Sequence, residues 1–203
     1  MKILVTGFTP FGGETVNPSW EEVKLLPDSI AGAEIVKRLL PTEFLRAEEV
    51  LLAAMDECAP DMVLCTGQAA GRGAISFERV AVNLRDASIP DNAGYAPADE
   101  AVCPGGESAY FVTLPVKAMA EAVKNAGLPA ELSLSAGSFV CNDVLYTLLR
   151  RLDGSGKASG FVHLPLSPGQ AAGKTPPPPS MEIGQMARGL EIAIHKALEL
   201  SQS

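Results

Sequence analysis

A cysteine that could act as a nucleophile stands in the segment SAGSFVCND, residues 135–143. Cys141 follows a turn of small residues and precedes the apolar run VLYTLL, which predicts a strand–turn–helix junction. The first N–H groups of a helix, and the positive end of its dipole, favour a thiolate and could hold an oxyanion. Asp143 opposes the thiolate, so the dipole alone would not activate it. A small buried thiol is an equally open interpretation.

A cysteine nucleophile needs a base, because a free thiol with a pKa of about 8.5 is only slightly ionised at neutral pH. The chain has two histidines. His195 lies one turn after Glu191 on the predicted last helix, away from its apolar face, and is expected to be solvated. His163 lies inside the apolar run GFVHLPL, where a histidine is most often a core residue. If the protein has a general base, it is His163.

The third member of such a catalytic set would orient the histidine and stabilise its charged form. Glu78 is the candidate, because it interrupts the apolar run ISFERVAVN. The alternative is a strand-end ion pair between Glu78 and Arg79, which contributes little at a surface. The chain order Glu, Cys, His does not exclude a triad, because triads are defined by geometry.

The remaining cysteines do not suggest a metal site. Cys58, Cys65 and Cys103 are scattered, form no C-x-x-C pair and have no histidine at ligand spacing. We therefore expect free thiols and no metal.

The glycine-rich opening TGFTPFGG lacks both the ending of a P-loop and the spacing of a dinucleotide fingerprint. It contains two aromatic residues, Phe8 and Phe11, after a predicted strand. Because α/β proteins bind ligands at the carboxyl ends of their strands, these rings suggest a small, flat ligand with apolar faces. A loop folded over the core is the alternative.

Strand and helix patterns alternate along the chain and favour a three-layer α/β fold in one domain, residues 1–203. The predicted strands are Lys2 to Phe8, AEIVKRLL before Pro41, DMVLCTG ending at Gly67, Ile75 to Asn83, ELSLSAG and GFVHLPL. The first of five predicted helices starts at Asn17-Pro18, the second runs from Thr42 to about Cys58, and the third covers PVKAMAEAVKNAG up to Gly127. The fourth covers VLYTLLRRL, and the fifth follows a cap at Ser180 after the tetraproline.

Charge and hydropathy exclude some partners. The net charge is −8 and the pI is near 4.8, which argues against nucleic acid and against an anionic membrane, since both need a basic patch. The apolar run in MKILVTGFTPFGG is too short for a signal peptide or a spanning helix. These features predict a cytoplasmic protein.

Taken together, the longest motifs resemble the pyroglutamyl peptidase I family, whose members are pyrrolidone-carboxylate peptidases. The likeness covers nearly the whole chain and is carried by TGFTPFGGETVNPSWE, CTGQAAGRGAISFERVAVN, IPDNAG, SAGSFVCND, GFVHLP and PPPPSM. It implies a cysteine exopeptidase that removes an N-terminal pyroglutamyl (5-oxoprolyl) residue from peptides through a thioester. It also implies a twisted, mixed and mostly parallel sheet in an α/β/α sandwich, no metal or cofactor, and a cytoplasmic homotetramer.

By matching positions, the resemblance implies that Cys141 is the nucleophile, His163 the base and Glu78 the residue that orients the histidine. It further implies a pocket for the lactam ring. The implied pocket residues are Phe8, Phe11, Thr42, Gln68, Ile89, Phe139 and Val140.

Some positions depart from the family pattern. Ser88 stands where the family commonly has the arginine of D-A-R-I-P-D-N, and Arg85 is nearby but would start from a different strand face. Leu134, Ser167 and Gly169 also differ from the usual residues. Two alternatives therefore stay open: a pyroglutamyl-binding relative with impaired catalysis, and an enzyme like the nucleoside phosphorylases. The second would need a basic or serine-rich phosphate loop, and TGFTPFGG has no lysine or arginine.

Overall fold

The computed structural model describes residues 1–201, in which strands and helices alternate as the sequence predicts. In chain order the elements are β1 (Lys2–Phe8), α1 (Pro18–Leu25), β2 (Ser29–Ile30), β3 (Ala33–Leu40), α2 (Arg46–Cys58), β4 (Met62–Gln68), β5 (Ile75–Glu78), β6 (Val80–Val82), β7 (Ala109–Phe111), α3 (Val116–Asn125), β8 (Ala130–Ser133), α4 (Val140–Leu152), β9 (Ala158–Leu164), α5 (Pro168–Ala172) and α6 (Ile183–Ser201).

Seven strands form one mixed sheet in the order β2-β3-β1-β4-β9-β5-β8. Four of its six neighbouring pairs are parallel, and the two antiparallel pairs are β2 with β3 and β5 with β9. The predicted mixed, mostly parallel sheet is therefore confirmed. Strands β6 and β7 pair with each other as a separate antiparallel ribbon.

Alternate residues of the strands point to opposite faces of the sheet, and helices cover both faces. Ile3 and Val5 belong to the apolar cluster that contains residues of α1, α3 and α6. Leu4 belongs to the cluster that contains residues of α2 and α4. The three-layer α/β/α arrangement is confirmed. No helix within residues 1–201 is both long enough and apolar enough to cross a bilayer.

Several helix ends follow from local chemistry. The Asn17 side chain accepts a hydrogen bond from the Ser19 N–H at 3.1 Å and so caps α1, as predicted. Gly127, with φ of +81°, follows α3, also as predicted. Helix α2 begins at Arg46, later than predicted, because Leu45 has φ of +61° and breaks the helical backbone.

Two predictions about connections were wrong. The run from Ile75 to Asn83 is not one strand: β5 ends at Glu78, and the chain crosses at Arg79 to the separate ribbon. Ser180 does not cap the last helix, because it forms a bridge with Leu166 and α6 begins three residues later. The short helix α5 was not predicted.

Candidate active site

The site lies on the face of the sheet covered by α2 and α4, and the sheet register brings its members together. His163 on β9 is the Cα partner of Gly67 on the parallel strand β4 and of Ser76 on the antiparallel strand β5. Glu78 lies two residues beyond Ser76, so it is a diagonal neighbour of His163, within reach of a long side chain. The three strands thus place a carboxyl group and an imidazole on one face.

Cys141 is the second residue of α4, and its side chain lies over β4. A Cβ atom on Gly67 would stand 2.8 Å from the Sγ atom of Cys141. Gly67 is the Cα partner of His163 on the adjacent strand β9, and neighbouring strands are about 4.8 Å apart. The thiol therefore lies one strand away from the backbone of His163. Only a glycine at position 67 leaves room for the thiol there.

The amino end of α4 offers hydrogen-bond donors beside this thiol. Phe139 occupies the N-cap position and makes no side-chain hydrogen bond to the first turn. The N–H groups of Val140 and Cys141 have no acceptor within the helix, as in the first turn of any helix. They are therefore suited to hold a negatively charged oxygen.

Glu78 and His163 form a buried hydrogen-bonded pair. The His163 Nδ1 atom lies 2.7 Å from the Glu78 Oε1 atom, and both side chains are buried. Burial opposes ionisation of Glu78, but the hydrogen bond to His163 and its charge lower the pKa of Glu78 overall. Burial lowers the pKa of His163, which Glu78 partly offsets. An ionised carboxylate only accepts hydrogen bonds, so Nδ1 carries the proton and Nε2 can accept one.

Glu78 also accepts a hydrogen bond from a residue that the sequence did not single out. The Arg72 Nη1 atom lies 2.7 Å from Glu78 Oε1, and the Nη2 atom lies 2.9 Å from the Ser135 carbonyl oxygen. The predicted alternative, an ion pair of Glu78 with Arg79, was therefore wrong. The alternation of side chains along a strand puts neighbours on opposite faces, and this signal could have excluded Arg79.

The resting form of Cys141 is a thiol. Burial raises its pKa to about 12; the charge of Glu78 and the nearby Cys65 add to this, and Arg72 lowers it. The sequence predicted that the helix terminus alone would not produce a thiolate, and this direction of the pKa agrees with that prediction. The expected opposition from Asp143 is absent: that side chain pairs with Arg85, which also binds Glu48, on the buried side of α4. Arg85 is thus engaged and cannot substitute for an arginine at position 88.

A cavity of about 290 Å³ opens above the thiol and the imidazole. It contains five of the seven predicted pocket residues, together with both Cys141 and His163. Its lining residues are Phe8, Phe11, Asn17, Thr42, Gln68, Ala69, Ala70, Arg72, Ala136, Gly137, Phe139, Cys141 and His163. No aspartate or glutamate is among these lining residues.

Two aromatic rings form one side of the cavity. The ring centroids of Phe11 and Phe139 are 5.9 Å apart, with an interplanar angle of 34°. Phe44 supports Phe139 edge-on at 5.2 Å. Such rings present flat apolar surfaces to a flat ligand.

Polar contacts fix Thr42 and Gln68, two further predicted pocket residues. The Thr42 hydroxyl donates to the Thr9 carbonyl oxygen at 2.7 Å. The Gln68 side-chain oxygen accepts a hydrogen bond of 2.9 Å from Gln170. Gln170 in turn forms a capping box with Ser167 at the start of α5. Ser167, one of the departures from the family pattern, therefore caps a short helix whose Gln170 holds Gln68.

The structure does not bring two predicted residues into the cavity. The Val140 side chain is fully buried in the core. Ile89 is 45% exposed and does not line the cavity. Val140 can contribute only through its backbone.

Other features of residues 1–201 do not compete with this site. A groove of about 530 Å³ lies between α3 and α6 and is lined in part by His195, which is exposed as predicted. It contains no cysteine. All four cysteines are free, and no cluster of metal-binding side chains occurs in the described part of the chain.

Comparison with known proteins identifies relatives along the full length of the chain. The family model described as "Pyroglutamyl peptidase" matches residues 1–200. Pyrrolidone-carboxylate peptidase of Thermococcus onnurineus is 47% identical over 201 residues, which cover 98% of this chain and 100% of the relative. The enzyme of that name from Klebsiella pneumoniae is 49% identical, with 98% and 94% covered.

Solved structures of pyroglutamyl peptidases are also similar to this chain over nearly its full length. The crystal structure of Bacillus amyloliquefaciens pyroglutamyl peptidase I is 43% identical, with a TM-score of 0.93 and with 98% of this chain and 97% of that chain covered. A mutant pyrrolidone carboxyl peptidase from Pyrococcus furiosus is also 43% identical, with a TM-score of 0.96 and with 99% and 100% covered. The chain belongs to the pyroglutamyl peptidase family.

Proposed function

We propose that this protein is a cysteine exopeptidase that removes an N-terminal pyroglutamyl residue from peptides. In this proposal Cys141 is the nucleophile, His163 the general base and acid, and Glu78 the residue that orients His163. The observation that carries the proposal is the buried Glu78–His163 hydrogen bond beside a thiol at the base of an aromatic cavity. Family membership supports the reaction class.

The cavity suits a blocked N-terminus. A pyroglutamyl residue has no free amine, so its recognition needs no carboxylate to hold an ammonium group. The lining residues include no acidic side chain, whereas they do include Phe8, Phe11 and Phe139. These rings can contact the faces of the lactam, and its amide N–H and carbonyl need hydrogen-bond partners, since each unpaired group would cost about 1–3 kcal/mol.

The chemistry follows from the protonation states. Because the resting group is a thiol, His163 Nε2 takes the Cys141 proton as the sulfur attacks the carbonyl carbon beyond the ring. The oxygen becomes negatively charged and is held by the first N–H groups of α4. Glu78 stabilises the imidazolium through Nδ1.

Collapse of the tetrahedral intermediate breaks the peptide C–N bond. His163 gives its proton to the leaving amine, and the shortened peptide departs with a free N-terminus. The acyl group remains on Cys141 as a thioester. His163 then takes a proton from water, which attacks the thioester and releases pyroglutamate, returning the thiol.

The departures from the family pattern leave this set intact. Ser88 lies on an exposed loop and does not line the cavity. Among residues 1–201, Arg72 is the one arginine or lysine that lines the cavity, and it is bound to Glu78, so the described lining offers no free lysine or arginine to hold a phosphate in a phosphorylase-like reaction. Ring binding alone would require neither His163 nor Glu78. These observations favour turnover over the impaired alternative.

We further propose that the substrates are peptides with an N-terminal pyroglutamate, and that residues 1–203 form one catalytic domain, which the family match over residues 1–200 supports. A homotetrameric assembly and a cytoplasmic location also belong to this proposal, on the strength of the family resemblance.

Release of aminomethylcoumarin from its pyroglutamyl and prolyl derivatives tests the proposal. The two acyl groups have the same five-membered ring, but prolyl has a cationic amine in place of the lactam amide. We expect rapid hydrolysis of the pyroglutamyl compound and at least about 100-fold slower hydrolysis of the prolyl compound. Equal rates, or hydrolysis of neither, would contradict the proposed specificity.

A further inference from the structure

Arg72 connects two parts of the site that are far apart in the chain. It lies in the turn that follows β4, where Gly71 has φ of +86°. Its guanidinium binds Glu78 at the end of β5 and the Ser135 carbonyl in the loop before α4. That loop leads through Phe139 to Cys141. One planar group therefore ties the carboxylate that orients the base to the segment that carries the nucleophile.

The geometry of these contacts requires a guanidinium. Its two terminal nitrogens each form one hydrogen bond, to a carboxylate on one side and a carbonyl on the other, at 2.7 and 2.9 Å. The fixed fork of arginine can make both bonds at once, whereas a lysine ammonium on a flexible chain is a single point charge. The Arg72 side chain is 24% exposed and lines the cavity.

Arg72 also acts on the charges of the site. The titratable groups that face it are Glu78 on β5, His163 on β9 and Cys141 on α4, with Cys65 on β4 behind the thiol. The Arg72 cation lowers the pKa of Glu78, of His163 and of Cys141. Its charge thus opposes the effect of Glu78 on the thiol and adds to the tendency of Glu78 to be ionised and of His163 to be neutral.

We propose that Arg72 is a positioning residue for this reaction: it holds Glu78 against His163 and fixes the Ser135 loop so that Cys141 meets the base. This inference rests on the proposed peptidase function. Arg72 acts through Glu78 and the loop, and not by direct contact with the scissile bond.

The test compares Arg72→Ala, Arg72→Lys and the control Arg79→Ala in hydrolysis of pyroglutamyl-aminomethylcoumarin between pH 5 and pH 10. Arg79 is adjacent to Glu78 in the chain but lines a different groove. We expect Arg72→Ala to lower kcat by about 10- to 100-fold, with KM changed by less than about threefold, since small misplacements of catalytic groups have effects of this size. Arg79→Ala is expected to keep wild-type kcat.

Two further readouts separate positioning from a general loss of structure. Without the cation the pKa of His163 rises, so the acidic limb of the pH–rate profile should move to higher pH in Arg72→Ala. Arg72→Lys should keep the wild-type profile at a reduced kcat, because it retains the charge and loses the fork. Added methylguanidinium should restore part of the Arg72→Ala activity.

Wild-type kcat in Arg72→Ala would overturn the inference. So would a reduced kcat with an unshifted profile and no rescue by methylguanidinium. If Arg72→Ala does not fold, wild-type kcat in Arg72→Lys overturns it, because the fork is then dispensable. An inactive wild-type enzyme would instead contradict the proposed function itself, so the two failures are distinguishable.

Discussion

Gly67 lies directly beneath the thiol of Cys141, so that a Cβ atom on Gly67 would stand 2.8 Å from Sγ and 2.8 Å from the Phe161 ring. The glycine is also the Cα partner of His163 on the next strand. One position without a side chain therefore determines how closely a nucleophile on a helix approaches a base on the sheet.

Gly67→Ala is expected to displace the thiol. The added methyl group must move Cys141 or Phe161, and we predict a loss of at least about 100-fold in kcat/KM, because a displacement of about 1 Å can have this effect. Overpacking should also cost about 1–3 kcal/mol of unfolding free energy. Hydrolysis of pyroglutamyl-aminomethylcoumarin and thermal unfolding measure the two effects. Gly169→Ala, which meets no atom within 4 Å, is the control. Wild-type kcat/KM in Gly67→Ala would show that the thiol needs no such space.

His163→Ala tests the base. Because burial raises the pKa of Cys141 to about 12, the thiol needs a neighbouring base to react near neutral pH. We expect inactivation of His163→Ala by iodoacetamide at pH 7.5 to be at least about 10-fold slower than that of wild type, since general-base assistance contributes about 10²–10⁴-fold. His195→Ala, which changes the exposed histidine, should react at the wild-type rate. Equal alkylation rates for His163→Ala and wild type would remove His163 from this role.

Glu78→Gln keeps the size of the side chain and removes its charge. The amide cannot stabilise the imidazolium that forms during attack, so we predict a decrease in kcat of at least about 10-fold. The aromatic cavity is untouched, so inhibition by the product pyroglutamate should keep its wild-type inhibition constant. Unchanged kcat would mean that Glu78 has only a structural role.

The elements of the fold that the sequence predicted are those with local markers. Pro41 follows the end of β3, Gly127 follows α3, and Asn17 caps α1. The break at Arg79 has no such marker, because successive side chains point to opposite faces through both β5 and β6. The two strands differ in the strands with which they pair, β8 and β9 for β5 and β7 for β6. A pattern of burial shows which side of a strand is covered, and not which strand lies beside it.

The site was predictable where the residue type itself restricts the chemistry. Only one histidine of the two lay in an apolar strand, and only one cysteine lay at a strand–helix junction. Arg72 was missed because its two partners are distant in the chain or lie across a turn, and a turn arginine is usually solvated. The Val140 side chain lies in the core and outside the cavity, which helix periodicity could not show because it does not indicate the face that a ligand approaches.

Glu22, which lies outside the candidate active site, leads to a prediction about the pH dependence of stability. It lies on α1 and is fully buried, and neither carboxyl oxygen has a hydrogen-bond partner among residues 1–201. Burial raises its pKa well above its ordinary value of 4.5. As the pH rises above this value, the unfolded chain releases the proton and the folded chain retains it. Wild-type stability therefore falls with rising pH because of this group.

Glu22→Gln removes that dependence. We expect its Tm to equal that of wild type near pH 4 and to exceed it by about 3 °C or more at pH 8, since about 1 kcal/mol corresponds to about 2–4 °C in a chain of this size. Thermal unfolding across this pH range measures the difference. Glu21→Gln, on the same helix but partly exposed and paired with Lys24, should show no such growth with pH. A constant difference between Glu22→Gln and wild type would show that Glu22 is ionised in the folded protein.

The assignment of Cys141 as the nucleophile of a pyroglutamyl peptidase is tested by hydrolysis of pyroglutamyl-aminomethylcoumarin by wild type, Cys141→Ala and the control Cys103→Ala, side by side. Cys103 lies outside the cavity. We expect full activity in wild type and Cys103→Ala, no activity in Cys141→Ala, and an unchanged circular dichroism spectrum in all three. Wild-type turnover in Cys141→Ala, or an inactive wild type that still binds pyroglutamate, would contradict it.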